Sequence, residues 1–273
     1  MKNSICASIS NGKAEQSHMA GRITLCWWRK VFIFLFAGLV AMPAMAADPV
    51  SINVDIGNPP FAYARDGGRI GLGVYPVLLK AVFDRLGVPL KLQAFPWKRA
   101  LLELDRGIAG VGGIYKNEVR LLKYDYSDPM FVERIAVYYN KNNPIKYNSI
   151  EDLYGKRVGV ILGWSYGDDF DLARAYDQIL VDPVIDVEQN FEKLSRGRID
   201  ALLAVVESGD SLLANGRYED LVMAKTLLLA NPAHLAFLKK AKQLPLIERF
   251  NKELAEMKKD GSLDKIVRQE LYR

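Results

Sequence analysis

The stretch Gly112-Gly113-Ile114-Tyr115-Lys116-Asn117-Glu118-Val119-Arg120, with Tyr124-Asp125-Tyr126-Ser127-Asp128-Pro129 close behind, reads as a buried strand ending in a polar turn, from which a short helix opens at Asn117. Asn is a favoured helix cap because its side-chain oxygen satisfies a backbone N–H that the first turn leaves free. Glu118 sits where the positive end of a helix favours an acid. Arg120 follows three residues after the cap, and its guanidinium fork can hold a carboxylate through two parallel bonds. A strand end, free N–H groups and an arginine together make a seat for an anion. The stretch therefore points to a site for a small polar molecule.

Outward from it, strand-like and helix-like segments alternate, the pattern of an α/β protein. Residues 50–56 are a first strand, and 74–86 a helix with apolar residues at helical spacing and Gly87 at its C-cap. Strand 90–94, helix 97–105 and strand 111–114 follow, and 135–139 is a longer extended run leaving this unit. Asn140-Lys141-Asn142-Asn143-Pro144 is polar and turn-forming. A second series then begins: strand 157–162, the turn Gly163-Trp164-Ser165-Tyr166-Gly167, helix 168–176, strand 179–181, helix 187–194 and strand 201–205. Asn231-Pro232-Ala233-His234 is expected to be another break, with 235–238 a returning strand and 245–257 and 262–271 amphipathic helices. This organisation predicts two lobes joined by two strands, lobe 1 being 47–140 with 233–273 and lobe 2 being 141–232. Ligands of such folds lie in the crevice at the carboxyl ends of the strands.

Residues 1–46 are expected to be absent from the mature chain. Arg29-Lys30 precede an apolar run from Val31 to Met42, and Ala44-Met45-Ala46 follows. This is the basic region, short apolar region and small-residue cleavage site of a secretory signal. The run is shorter than the ~20 apolar residues of a membrane-spanning helix. Cleavage near Ala46 leaves 227 of the 273 residues, whether the start is Met1 or Met19. Cys6 and Cys26 go with the signal, so no disulfide or thiol chemistry is expected, and core burial must supply the stability. The formal net charge of +5 falls to +1, because the first 46 residues carry Lys2, Lys13, Arg22, Arg29 and Lys30 against Glu15. A nucleic-acid surface, which needs a clustered basic face, is not expected. His234 is the one histidine after residue 46, and a structural role is expected for it. No cluster with metal-ligand or nucleophile spacing occurs, so neither metal nor cofactor is expected, and no catalytic residue is assigned.

Seven landmarks, in order, resemble family 3 of the bacterial extracellular solute-binding proteins. Asn58-Pro59-Pro60-Phe61 stands where that family has Tyr-Pro-Pro-Phe, Gly71 precedes the first helix, and Pro96-Trp97 precedes the second. Asn117 to Arg120 stands for Thr-Pro-Glu-Arg, and Tyr126-Ser127-Asp128-Pro129 for Phe-Ser-Asp-Pro. Asp152-Leu153-Tyr154-Gly155-Lys156-Arg157-Val158-Gly159-Val160 matches the lead-in to lobe 2, and Gly197-Arg198-Ile199-Asp200-Ala201 the strand that follows. The resemblance implies a two-lobed periplasmic-binding-protein fold of type II with two hinge-crossing strands. It also implies a periplasmic, monomeric receptor of an ABC importer that binds a small polar solute, an amino acid or derivative, and docks on an inner-membrane permease. Three departures stand out: Val205 where the family commonly has an Asp for a ligand ammonium, Tyr115 where it has a small Ser, and Gly73 where an Asp is often found.

Each candidate ligand residue also has a structural reading. Arg120 is expected to hold a ligand carboxylate, with Asn117 capping the helix beside it. Tyr115 either closes part of the pocket or offers its hydroxyl. Phe61, after a Pro-Pro turn, either covers a ligand face or packs in the core, and Trp97 either packs inside or lines the crevice. Trp164 and Ser165 lie in a glycine-bounded turn that opens a helix, so they are expected to meet ligand from lobe 2. Asp55 either meets a ligand cation or stabilises a turn, and Glu207 either replaces the missing Asp or stays solvated. Two other function classes stay open: a dehydratase-like enzyme on the same fold using crevice carboxylates, and a ligand-sensing module for a receptor.

Overall fold

The computed structural model describes residues 48–65 and 69–272, so the signal-like segment lies outside the described residues. The described residues open with a parallel sheet. Strand β1 (Val50–Asp55) pairs in register with β4 (Leu90–Phe95) and, on its other side, with β5 (Gly110–Tyr115). A small hairpin, β2 (Gly57–Asn58) and β3 (Ala62–Tyr63), follows β1, with a cis bond between Pro59 and Pro60. Helix α1 (Val74–Leu86) buries Val74, Leu78, Leu79, Val82 and Phe83 at helical spacing and ends at left-handed Gly87. Helix α2 (Trp97–Asp105) starts just after Pro96, and the one-turn helix α3 (Glu118–Leu121) opens from Asn117.

Two long antiparallel strands carry the sheet onward. Strand β7 (Phe131–Asn140) pairs with β11 (Leu221–Leu238) and with β10 (Ala201–Val205), while β11 also pairs with β5 and with the short β6 (Tyr124–Tyr126). Beyond them, β10 pairs in parallel with β8 (Arg157–Ile161), and β8 with β9 (Leu180–Val184). The strand order is β4-β1-β5-β11-β7-β10-β8-β9. It is a two-lobed α/β fold, with parallel strands at each end and β7 and β11 crossing between them. The far end carries helices α4 (Asp168–Ala175), α5 (Val187–Ser195) and α6 (Val206–Ala214). The carboxyl-terminal helices α7 (Leu244–Lys259) and α8 (Ser262–Leu271) return to pack on α1, where Phe83 meets Phe250 at 6.1 Å.

Family landmarks are fixed by local bonds. The Asp152 carboxylate accepts from the N–H groups of Asn148 and Ser149, capping the turn before β8. Asp200 accepts from the Arg157 N–H at 2.8 Å, tying the start of β10 to that of β8. One expectation is corrected: Asn231-Pro232-Ala233-His234 is not a break, since β11 runs unbroken through it. Pairing with β5 begins only at Ala233, so Pro232 stands where one flank of the strand has no neighbour and its missing N–H is tolerated. The strand instead slips register nearer its start, between Met223 and Leu229.

The two ends of the sheet are pressed together, and Ala47–Arg273 forms one compact unit. At Gly57 a Cβ would lie 2.0 Å from the Ile185 carbonyl oxygen, so only glycine permits the contact between the β2 hairpin and the segment after β9.

Candidate functional site

The residues singled out in the sequence converge at the carboxyl ends of strands from both series. Asp55 ends β1, Trp97 follows β4, Tyr115 ends β5, and Asn117 and Arg120 stand just beyond it. The 163–165 turn follows β8, and Glu207 sits in the first turn of α6, directly after β10. This is where an α/β crevice gathers its ligand groups.

Four side chains from the first series hold the turn from the second. The Trp97 indole N–H donates to the Gly163 carbonyl at 3.2 Å, and Arg120 Nη2 donates to the same oxygen at 3.1 Å. Asn117 Nδ2 donates to Ser165 Oγ at 3.2 Å. The Trp164 indole N–H donates to Asp55 Oδ2 at 2.8 Å. A fifth bond, from Ser208 to Asn58 at 2.9 Å, joins the start of α6 to the β2 hairpin. Asn117 also caps α3 as its residue type predicts, its Oδ1 accepting from the Arg120 N–H at 2.8 Å. The turn is braced from behind, because Ser165 donates to Asp171 and Arg174 Nη2 donates to the Trp164 carbonyl.

Arg120 sits differently from the simplest expectation. Its guanidinium is directed at two main-chain carbonyls, those of Tyr115 at 3.1 Å and Gly163, and among the described residues no carboxylate forms an ion pair with it. Burial lowers its pKa below the usual arginine value. Phe61 is fully buried against Tyr75 and Phe131, with centroids 5.8 and 5.3 Å away, so its packing reading accounts for its contacts. Trp97 combines interior packing with its bond to Gly163. Trp164 stands edge-on to Tyr115 at 5.9 Å and lies tilted against Tyr166 at 6.0 Å. His234 is buried, with Nδ1 2.8 Å from the Ser127 carbonyl, which is a structural placement.

Two residues the sequence reading passed over complete the crevice. Glu133 on β7 is 1% exposed and accepts from the hydroxyls of both Tyr75 and Tyr115. Burial pushes its pKa up to about 7, opposed by the two tyrosyl bonds and reinforced by Glu207 and Asp55. Burial likewise raises Asp55 to about 6, although Trp164 and the Gly57 N–H both stabilise its charged form. Glu207 pairs through Oε1 with Arg134 at 3.0 Å, while its Oε2 is buried without a partner among the described residues. Strand alternation was the available signal for Glu133: Phe131, Glu133 and Ile135 share a face, which sets an acid among core residues. Tyr75 lay in a helix whose apolar spacing concealed its polar tip.

Residues 50–271 match the profile of the bacterial extracellular solute-binding proteins, family 3. The chain belongs to this family. Among curated proteins it is 27% identical over 215 residues to the L-cystine-binding protein TcyJ of Escherichia coli K12, covering 75% of this chain and 76% of that one. Among solved structures it superposes on an ancestral arginine-binding protein bound to arginine with a TM-score of 0.71 and 26% identity, covering 82% of this chain and 98% of that one. It also superposes on a histidine kinase sensor domain with similarity to periplasmic binding proteins, with a TM-score of 0.73 and 19% identity over 82% of this chain and 96% of that one, which is a likeness of fold. TcyJ and the ancestral protein are named as binding proteins, and family membership carries an extracellular solute-binding role as its general description.

Proposed function

We propose that the chain is a periplasmic substrate-binding protein of an ABC importer that takes a small polar amino acid or derivative between hinged lobes. Lobe 1 comprises 47–140 with 233–273, lobe 2 comprises 141–232, and residues 1–46 act as an export signal. The protein works as a monomer that presents its closed form to an inner-membrane permease, and it carries out no catalysis. The observation that carries this reading is the set of cross-crevice bonds from Trp97, Asn117, Arg120 and Asp55 to the 163–165 turn.

Those donors and acceptors are small, polar and oriented, and a solute between them would exchange the same bonds. Arg120, Asn117 and the N–H groups of α3 supply the pole for a carboxylate. Asp55 and Glu207 supply the pole for an ammonium, while Ser165 and Trp164 close from lobe 2. Tyr115, Trp97 and Phe61 form the walls. A ligand that touches both sides favours the closed arrangement because it binds that state better.

The test combines a thermal-shift screen of amino acids, amines and dicarboxylates with small-angle scattering. A binding partner present at a hundredfold excess over Kd adds ~2.7 kcal/mol to stability. A tight ligand is expected to raise Tm and to shrink the radius of gyration. Tight binding with no contraction would remove the hinged-closure part of the reading.

A further inference from the structure

Within the crevice, Glu133 is a buried carboxylate whose two partners in the structure are both neutral, as are those of Asp55, the Trp164 indole and the Gly57 N–H. Tyr75 from α1 and Tyr115 from the end of β5 donate to its two oxygens, one hydroxyl each. A carboxylate offers about four acceptor positions, so two remain. Among the described residues no lysine, arginine or histidine forms an ion pair with it. Its sequence neighbour Arg134 points the other way and pairs with Glu207. A buried charge without a counter-ion is costly, and a group of this kind persists where something supplies the opposite charge.

The surroundings add to that deficit. Asp55 arrives from β1 and Glu207 from the first turn of α6, and both raise the pKa of Glu133 by repulsion. Glu207 keeps its Oε2 buried and unpartnered. The side-chain charges that bear on Glu133 from the packed elements are thus Asp55 and Glu207, with Arg134 compensating Glu207 and Asp186 acting on Asp55. Aromatic faces stand on the same side: Tyr115 meets Trp164 edge-on, and Tyr75 meets Phe61. Acids bounded by aromatic rings favour an organic cation. Val205, at the end of β10 beside Glu207, is apolar and buried, so that strand end offers a cation no acceptor.

We infer that Glu133 sets the charge class of the ligand: besides any α-ammonium, the solute carries a further amine or guanidinium that seats on Glu133 between Tyr75 and Tyr115, with the free Glu207 oxygen as its second acceptor. The inference rests on the crevice being the solute site. It assigns ligand charge to a residue on the crossing strand β7, at the root of the hinge, so the cation is held where the two lobes meet.

The experiment is isothermal titration of the exported chain with L-arginine, L-ornithine and cadaverine, which carry that further cation, against L-glutamine and L-glutamate, whose side chains are neutral and acidic. Wild type is expected to prefer the cationic set, and Glu133→Gln to lose roughly 10- to 100-fold of that affinity, the scale of one charge-assisted bond. Glu207→Gln is expected to lose less, about 3- to 10-fold. A second readout needs no variant. Seating a cation forces Glu133 to ionise, so close to one proton is released per ligand at pH 6 and almost none at pH 8, measured in buffers of different ionisation enthalpy. Preference for the neutral or acidic set, unchanged cation affinity in a folded Glu133→Gln, or no proton release at pH 6 each overturns the assignment and leaves the solute-binding reading standing. Absence of binding by every member of both sets overturns the assignment, and the wider thermal-shift screen then decides the solute-binding reading.

Discussion

Replacing Glu133 with Gln should change how the ligand-free protein's stability responds to pH. Glu133 is raised in the folded chain from 4.5 to about 7 by burial. The folded state therefore holds a proton that the unfolded state releases between those two values. Stability consequently falls as pH rises through the window from 4.5 to about 7, because the unfolded state binds fewer protons there. At about 1.4 kcal/mol per pH unit of displacement, the loss attributable to Glu133 is roughly 3 kcal/mol above pH 7. For a chain of this size that corresponds to ~6–12 °C in Tm. Gln keeps the volume and can still meet both tyrosines, but it does not ionise. Other groups titrate in the same range, including Asp55, raised to about 6, and His234, whose lowered pKa has the opposite effect on acidification. The informative quantity is therefore the difference between wild type and variant, in which those contributions cancel to first order. Melts in calorimetry from pH 4.5 to 8 should show the variant gaining on wild type as pH rises, most steeply between 5 and 7. A difference that is flat across that range, or that grows toward acid, would refute the burial argument.

Other substitutions test separate parts of the site. Trp164→Phe removes the indole donor from buried Asp55 and should cost about 1–3 kcal/mol at pH 8 and less at pH 5, measured by urea unfolding. Gly57→Ala places a methyl group against the Ile185 carbonyl and should weaken ligand binding by roughly 10-fold or more through impaired closure, with a smaller change in the ligand-free Tm, as calorimetry and titration will show. Ser165→Ala frees Asn117 and Asp171 from their shared hydroxyl and should lower affinity by about 1–2 kcal/mol while the circular dichroism spectrum stays unchanged.

Much of the scaffold was legible because its segments carry both periodicity and punctuation. Helix α1 has apolar residues on one stripe and Gly87 at its end, and α2 begins directly after Pro96, so both are found with the bounds expected. Helix α6 was passed over because Gly209 lies at its centre, where it lowers helix propensity by ~1 kcal/mol relative to Ala. Its presence has a packing cause: a Cβ there would lie 2.1 Å from Tyr138 Oη, a neighbour supplied by β7 from far away in sequence. Pro232 misled for a similar reason, since only the sheet's pairing shows that one flank is free at that residue.

The site was legible where chemistry and position coincide. The cap at Asn117 and the turn at 163–165 lie where residue type and chain order place them, and they meet across the crevice. The bonding of Arg120 to two main-chain carbonyls was not legible, because carbonyls carry no sequence signal and one of the two comes from the other series. Glu133 was hidden by a strand expected to start at Ile135, where the observed strand starts four residues earlier at Phe131, and its tyrosine partners come from α1 and β5.

The central claim is that the crevice between the first strand series and the 163–165 turn holds the solute. A crystal structure of the chain grown with the strongest binder from the screen tests it most directly. The account predicts ligand density bounded by Asp55, Arg120, Trp164 and Ser165, with polar atoms within hydrogen-bond distance of at least the first two. Density elsewhere, such as in the 520 Å³ cavity between Tyr147 and Leu229, with the crevice side chains bonded only to one another, would contradict it.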